Sequence, residues 1–302
     1  MTVIEVQNLT KRYGDRYGVR DVTFTVERGE IFGILGPNGA GKTTTVECIT
    51  GLRHADGGTV TVLGRRAGDP ALREIVGVQL QQSHLPDKLR VGEALELYAS
   101  FYPVPADPRT LADELDLTRH WRQPYKKLSG GQQQRLSIAL ALIGNPQIAV
   151  LDELTTGLDP SARRDTWALV EQMRDRGVTV VLVSHFMDEA ERLCDRIAVI
   201  DRGRVTAIDT PAALVASNGR PIRVRFRPSV PIADRDWLAN LASVESVADD
   251  GDAMVVSGRG DVVAAVAMAL AERGIAPLDL TVNQTNLEDA FIALTGHHSE
   301  EA

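Results

Sequence analysis

The sequence predicts an α/β fold of the phosphate-loop nucleotide-binding type followed by a small α+β domain, and three observations carry that prediction. Gly36-Pro37-Asn38-Gly39-Ala40-Gly41-Lys42-Thr43 fills every fixed place of the pattern G-x-x-x-x-G-K-[ST]. Ile148-Ala149-Val150-Leu151-Asp152-Glu153 is an apolar run that ends in two carboxylates. After about residue 215 the pattern changes to short alternating strands and two helical stretches. The length of 302 residues suits about two domains.

The first of these segments is built for a triphosphate, which needs many donors at close range. Glycines at 36, 39 and 41 permit positive torsions and remove side chains that would hold the backbone amides away from phosphate oxygens. Glu30 to Leu35 reads as a buried strand before the loop, and Lys42 to Ile49 as a helix whose positive end faces the phosphates. In that setting Lys42 bridges the β- and γ-oxygens, the Thr43 hydroxyl coordinates Mg2+, and Thr44 adds a phosphate contact. A carboxylate at the end of a neighbouring parallel strand reaches the same ion through water, which suits Asp152. Glu153, one residue further, points toward the γ-phosphate as general base for the attacking water.

Leu128-Ser129-Gly130-Gly131-Gln132 decides among the many users of such a loop. With the segments above, it makes residues 2 to 210 resemble the ATP-binding subunit of an ABC transporter, most closely the drug-resistance or antibiotic-exporter type typified by daunorubicin-resistance ATPases. The resemblance implies a P-loop NTPase of ABC type: a RecA-like core with an antiparallel β subdomain and a helical subdomain. It implies that Ser129, Gly130, Gly131 and Gln132 hold the γ-phosphate of an ATP bound to the other subunit. Ser129 also caps the following helix, so capping and binding coexist. By the same resemblance Tyr13 stacks on adenine, with Tyr17 a nearby competitor, and Gln81 coordinates Mg2+, with Gln82 the reserve. Asp159, in Gly157-Leu158-Asp159, organises the facing site, and His185 contacts the γ-phosphate. The remaining histidines match no motif, and their spacing suggests no metal site.

One position departs from the family pattern: Leu154 stands where a proline commonly follows the carboxylate pair. Losing the fixed torsion is expected to alter the rate rather than abolish activity. One phosphate loop and one signature per chain imply a dimer, most simply a homodimer, that closes on two MgATP. The family further implies a separate integral-membrane permease as partner. A soluble ABC ATPase acting on a cytosolic assembly, or a nucleotide-dependent regulatory module, are the alternatives.

Composition narrows the setting. No run approaches the roughly 18 apolar residues of a membrane helix, and Met1 to Glu5 lacks the charged-then-apolar pattern of a secretion signal. The net charge of −8 argues against general nucleic-acid binding. Cys48 and Cys194 read as reduced thiols of a cytoplasmic protein. The expectation is therefore a cytoplasmic subunit held peripherally at the cytoplasmic face of the membrane through its permease.

The expected organisation is an ABC domain over 1–215 and an accessory domain over 216–302. Within the first, strands over 2–28 and 58–64 form the β subdomain, and 86–145 is a helical insertion. In the second, a strand at 222–226 is followed by a helix over 234–242, a hairpin of 244–248 with 253–257, a helix over 260–273, a strand over 278–283, and a helix over 287–295 capped by Asn286. That β-α-β-β-α-β order suggests a ferredoxin-like domain. Its ending, Leu287 to Gly296, also resembles the tail of drug-exporter ATPases.

Overall fold

The computed structural model describes residues 1–80, 84–217, 221–232, 234–283 and 286–296. It divides into two compact units, the first built on Met1–Leu214 and the second spanning Val215–Ala293.

The first unit opens with β1 (Thr2–Tyr13) and β2 (Arg16–Glu27), an antiparallel hairpin turning at Gly14. The apolar run beyond it is β3 (Ile31–Leu35), which is buried on both faces. It leads through the glycine-rich loop into α1 (Lys42–Ile49). The chain then returns to the hairpin as β4 (Gly57–Val62) and β5 (Arg65–Arg66), completing a four-stranded sheet in the order β2-β1-β4-β5.

Next comes β6 (Val76–Gln79), and after it a helical insertion containing α2 (Val91–Ala99), α3 (Pro108–Glu114) and α4 (Gly130–Leu142). The core resumes with β7 (Ile148–Asp152), α5 (Pro160–Asp175), β8 (Thr179–Ser184), α6 (Met187–Leu193), β9 (Arg196–Asp201) and β10 (Arg204–Asp209). The second sheet has the order β10-β9-β3-β8-β7-β6 and is parallel except at the β10 edge. Every residue of β3, β7 and β8 is buried, which explains why these segments are continuous apolar runs rather than alternating ones. Phe24 of β2 stacks on Phe32 of β3 with ring centroids 5.1 Å apart, joining the two sheets through one apolar cluster that also takes Val46 and Ile49 of α1.

This topology places the C-terminal ends of β3, β7 and β8 side by side. Leu35 pairs with Ser184, and Asp152 with Val183, so the loops that follow the three strands emerge at one edge. That edge is where an open α/β sheet collects its ligands.

The linking helix α7 (Pro211–Ser217) is followed by β11 (Ile222–Pro228), α8 (Asp236–Ala239), β12 (Val244–Asp250), β13 (Ala253–Gly258), α9 (Val262–Glu272), β14 (Pro277–Asn283) and α10 (Leu287–Thr295). The second unit's sheet is antiparallel throughout, in the order β12-β13-β11-β14. Val224, Phe226, Leu238, Met254, Val256, Val266 and Leu270 form its own core. The helix expected over 234–242 is shorter: the Asp234 carboxylate accepts from the Asp236 N–H (2.9 Å), starting the helix late, and Asn240 is already its C-cap. Asn286 does cap the last helix, its side-chain oxygen accepting from the Asp289 N–H at 2.9 Å.

Candidate active site

The glycine-rich loop owes its shape to three different constraints. A Cβ at position 36 would lie 2.2 Å from the Ile200 carbonyl oxygen at the end of β9, so Gly36 is required by close packing. Gly39 (φ +77°) has open space around it and is required by its backbone torsion. Gly41 is required on both counts, with φ +106° and the Gly18 carbonyl 2.5 Å from where its Cβ would stand. Pro37 and Ala40 complete the turn, Ala40 buried beneath it and its N–H donating to the Pro37 carbonyl at 3.1 Å.

Lys42 is 6% exposed, and burial lowers its pKa against the pull of Glu153 and Asp152. Its ammonium donates to the carbonyls of Gly36 (2.7 Å) and Pro37 (3.1 Å), spanning the loop. Asn38, Gly39 and Thr43 are exposed at the loop surface. A cavity of about 410 Å³ lies over them, lined by Tyr13, Gly18, residues 38–44 and Glu153. Tyr13 enters this cavity with its hydroxyl 3.3 Å from Thr44 Oγ1 and Arg53 5.2 Å from its ring centroid. Tyr17 instead stands between the guanidiniums of Arg12 and Arg20, at 5.1 and 5.0 Å, and does not line the cavity. Between the two tyrosines left open by the sequence, the structure brings Tyr13 to the loop.

Asp152 ends β7 with 2% exposure. Burial, then the neighbouring Glu153 charge, push its carboxyl up to about 6, with Lys42 pulling the other way. A buried carboxylate held this far from its ordinary range is short of cationic partners, which fits a divalent cation shared with the exposed Thr43 hydroxyl. One buried carboxylate and one exposed hydroxyl suit an ion held mainly by phosphate oxygens and water, as Mg2+ is.

Glu153 follows in the left-handed region (φ 51°), a conformation that costs a non-glycine residue on the order of 1–2 kcal/mol. Two features hold it there: its N–H donates to the Val183 carbonyl at 2.9 Å, and the next side chain, Leu154, is 1% exposed. The residue at the place where the family commonly has proline is thus buried in this chain. His185, one residue beyond β8, sets Nδ1 3.5 Å from Glu153 Oε1.

Gln81 and Gln82 lie outside the described residues. A third glutamine of the same segment, Gln79, is 5% exposed, and its Oε1 accepts from the Asp152 N–H at 3.2 Å. Sequence reasoning passed over it. Its place at the end of β6, beside β7, was the available signal.

The signature residues form a separate assembly. Ser129 Oγ accepts from the Gln132 N–H (3.3 Å), and Gln132 Oε1 accepts from the Ser129 N–H (3.0 Å), a reciprocal capping box at the start of α4. Gln132 also meets His120 (Nε2 to Nε2, 3.1 Å), giving a partner to a histidine that matched no motif. Gly130 and Gly131 pack toward Leu158 and Ala162, beside Asp159. The Asp159 carboxylate caps α5, accepting from the Ser161 and Ala162 N–H groups at 2.9 and 3.0 Å, and these bonds lower its pKa. None of Ser129, Gly130, Gly131, Gln132 or Asp159 lines the cavity over the phosphate loop. Within one chain these residues and the loop cavity are thus separate places.

Comparison with known proteins agrees with this geometry. Residues 19–156 match the family model described as ABC transporter. Over 306 residues the chain is 36% identical to the Nod factor export ATP-binding protein I of Burkholderia lata, covering 99% of this chain and 98% of that one. Among solved structures, an ATP binding subunit of an ABC transporter is 29% identical, with a TM-score of 0.65 over 72% of this chain and 93% of its own. A dimeric ATP-binding cassette in a post-hydrolysis state, bound to ADP and Pi, is also 29% identical, with a TM-score of 0.62 over 68% and 98%. Through a relative matched over nearly the whole of both chains, and a family model matched over 19–156, the chain belongs to the ABC transporter family as an ATP-binding, ATP-hydrolysing subunit.

Proposed function

We propose that this subunit dimerises on MgATP and powers a separate permease that exports a small molecule, of the drug or antibiotic type. Dimerisation is supported by the division of the site: the phosphate-loop cavity contains no signature residue of the same chain. Export is supported by a likeness to an export ATP-binding protein that runs through the second unit as well as the first. The drug-exporter type rests on the ending Leu287 to Gly296 and on Ser184-His185-Phe186-Met187-Asp188-Glu189-Ala190. No helix among the described residues is long and apolar enough to cross a membrane, so the path for cargo belongs to the partner. The subunit then works at the cytoplasmic face, attached through that partner.

In this reading the loop amides and Lys42 hold the β- and γ-phosphates, Tyr13 carries the adenine, and Thr43, Asp152 and Gln81 hold Mg2+. The bound ion supplies charge neutralisation on the transferring phosphoryl group. Glu153 orients the attacking water and takes its proton, and His185, within reach of that carboxylate, steadies the γ-phosphate side. Ser129 and the Gly130 and Gly131 amides close the site from the other subunit. The observation that carries the mechanism is that β3, β7 and β8 end side by side, so that the loop leading to Lys42, the pair Asp152 and Glu153, and His185 all follow from one sheet edge.

The test is capture of the closed state. Tagged Glu153→Gln protein, held with MgATP in detergent-solubilised membranes of its own host, is expected to co-purify with a stoichiometric multi-span membrane protein, identified by mass spectrometry. Recovery of soluble assemblies alone, with nothing from the membrane fraction, would overturn the transport reading. Deleting the identified permease should then sensitise the host to one class of exported compound.

A further inference from the structure

His120 matches no motif in the sequence, yet its ring stands in the middle of a chain of hydrogen bonds that begins on the signature. The sense of that chain is set at the signature itself. Gln132 Oε1 is taken by the Ser129 N–H at 3.0 Å, so the other end of the same amide, Nε2, meets His120 Nε2 at 3.1 Å. An amide nitrogen only donates, and His120 Nε2 therefore accepts. A neutral imidazole that accepts on Nε2 carries its proton on Nδ1. His120 Nδ1 lies 2.8 Å from Gln123 Oε1, which is an acceptor, and Gln123 Nε2 donates in turn to the Lys127 carbonyl at 2.5 Å. Four bonds thus run in one sense from the Ser129 N–H to a carbonyl two residues before it, and every donor meets an acceptor. Bonds linked head to tail in this way polarise one another.

A second observation concerns what the middle of the chain is fixed to. His120 ends a short helical turn, Thr118–His120, and the stretch beyond it is pinned to the start of α2. The Gly92 N–H donates to the Trp121 carbonyl at 2.9 Å, and the Val91 N–H to the Gln123 carbonyl at 3.2 Å. A Cβ at position 92 would run into the Trp121 indole, and the Arg109 guanidinium of α3 stands 3.6 Å from that ring's centroid. His120, Gln123 and Gln132 are half-buried, whereas Ser129 and Gly130 are exposed. The ring therefore joins a segment held by two helices to the exposed start of a third.

We propose that His120, protonated on Nδ1, is a positioning residue for the signature. It holds the Gln132 side chain in the rotamer that receives the Ser129 N–H, and so sets the aim of Ser129 and of the Gly130 and Gly131 amides. The proposal rests on the role given above to these residues at the ATP of a second copy. Glutamine has freely rotating torsions, and with no fixed acceptor for its Nε2 it exchanges among rotamers. The reciprocal capping box then loses one of its two bonds. Small displacements of donors that must meet one phosphoryl group are expensive in rate.

The first measurement reads the ring directly. Histidine 15N–1H correlation spectra of the full chain without nucleotide, at mildly alkaline pH and with the His120 signal identified by its loss in His120→Gln, are expected to show the proton on Nδ1. A ring protonated on Nε2, or exchanging between the two tautomers, overturns the proposal. The second measurement follows kcat at saturating ATP, the Kd for ATP and the melting temperature in His120→Phe, alone and combined with Gln132→Leu. Phenylalanine keeps the ring and removes both nitrogens, and kcat is expected to fall roughly tenfold or more. The Kd should stay within about twofold, because His120 lies outside the cavity over the phosphate loop. In the Gln132→Leu background the same change should have little further effect.

The proposal also fails if His120→Phe retains kcat, if it lowers kcat, ATP affinity and melting temperature together, or if the effects of positions 120 and 132 simply multiply. Should His120→Phe not fold, Gln123→Leu removes only the acceptor of the Nδ1 proton and must still lower kcat at unchanged ATP affinity. Turnover unaffected by Gly130→Asp, with the Nδ1 proton in place, would instead remove the role of the signature on which the proposal stands.

Discussion

Asp152 sits at the end of a strand with both faces buried, and its carboxyl titrates near 6 rather than near 3.8. The sign of the consequence follows from linkage. The fold favours the protonated form, so the native state binds more protons than the unfolded chain between about pH 4 and 6, and stability falls as pH rises through that window. Ionisation at neutral pH then costs the metal-free protein at most on the order of 3 kcal/mol, from a shift of roughly two units. In EDTA, Asp152→Asn is expected to raise the melting temperature at pH 7.5 and to flatten the decline between pH 4 and 6. The same variant should lose the extra stabilisation that MgATP gives the parent. A lower melting temperature for Asp152→Asn in EDTA at pH 7.5 would refute this account. The buried carboxylate is thus held against the ionised form it prefers in water, a common condition where function and stability compete.

The element scale separates glycines that look alike in sequence. Gly36→Ala would drive a methyl into the Ile200 carbonyl, so either β9 or the loop must shift. Melting should fall by several degrees, together with nucleotide affinity. Gly39→Ala meets no atom within 4 Å and is strained only by its torsion. It should cost about 1 kcal/mol in stability and act mainly on ATP binding, since the added methyl stands at the loop surface. Equal thermal losses from the two substitutions would show that the packing against Ile200 does not matter. The contrast also marks how far the sequence could be read. Strand, loop and helix order around Lys42, the carboxylates after β7 and the capping Ser129 were all legible, because each is written in contiguous residues. The clash that demands Gly36 involves a strand that arrives some 160 residues later. The Gln79 brace under Asp152 likewise depends on β6 lying beside β7, a pairing that local sequence does not state. Leu154 was legible as a departure, but its burial beside the Glu153 turn was not.

At the scale of the whole molecule, the arrangement of half-sites decides how activity depends on concentration. Glu153 and Lys42 line the loop cavity, and Ser129, Gly130 and Gly131 of the same chain do not. Binding of ATP should therefore be a property of the monomer and hydrolysis a property of the dimer. Gly130→Asp separates the two. A Cβ at 130 would meet only Leu158 Cδ2, at 3.8 Å, an ordinary contact. An aspartate in the first turn of α4 is also favourable to the helix dipole, so the fold should be kept. In the proposed dimer, however, its charge would face the phosphates held by a second copy, where the proposal has the glycine amides as donors. The variant is expected to bind ATP with an affinity within about twofold of the parent, while turnover falls by roughly 100-fold or more. In the parent protein, specific activity should decline on dilution, as a second-order assembly step requires, whereas the residual activity of the variant should not. Full turnover from a strict monomer, unchanged by dilution and by Gly130→Asp, would mean that the cavity over the phosphate loop is already a complete active site.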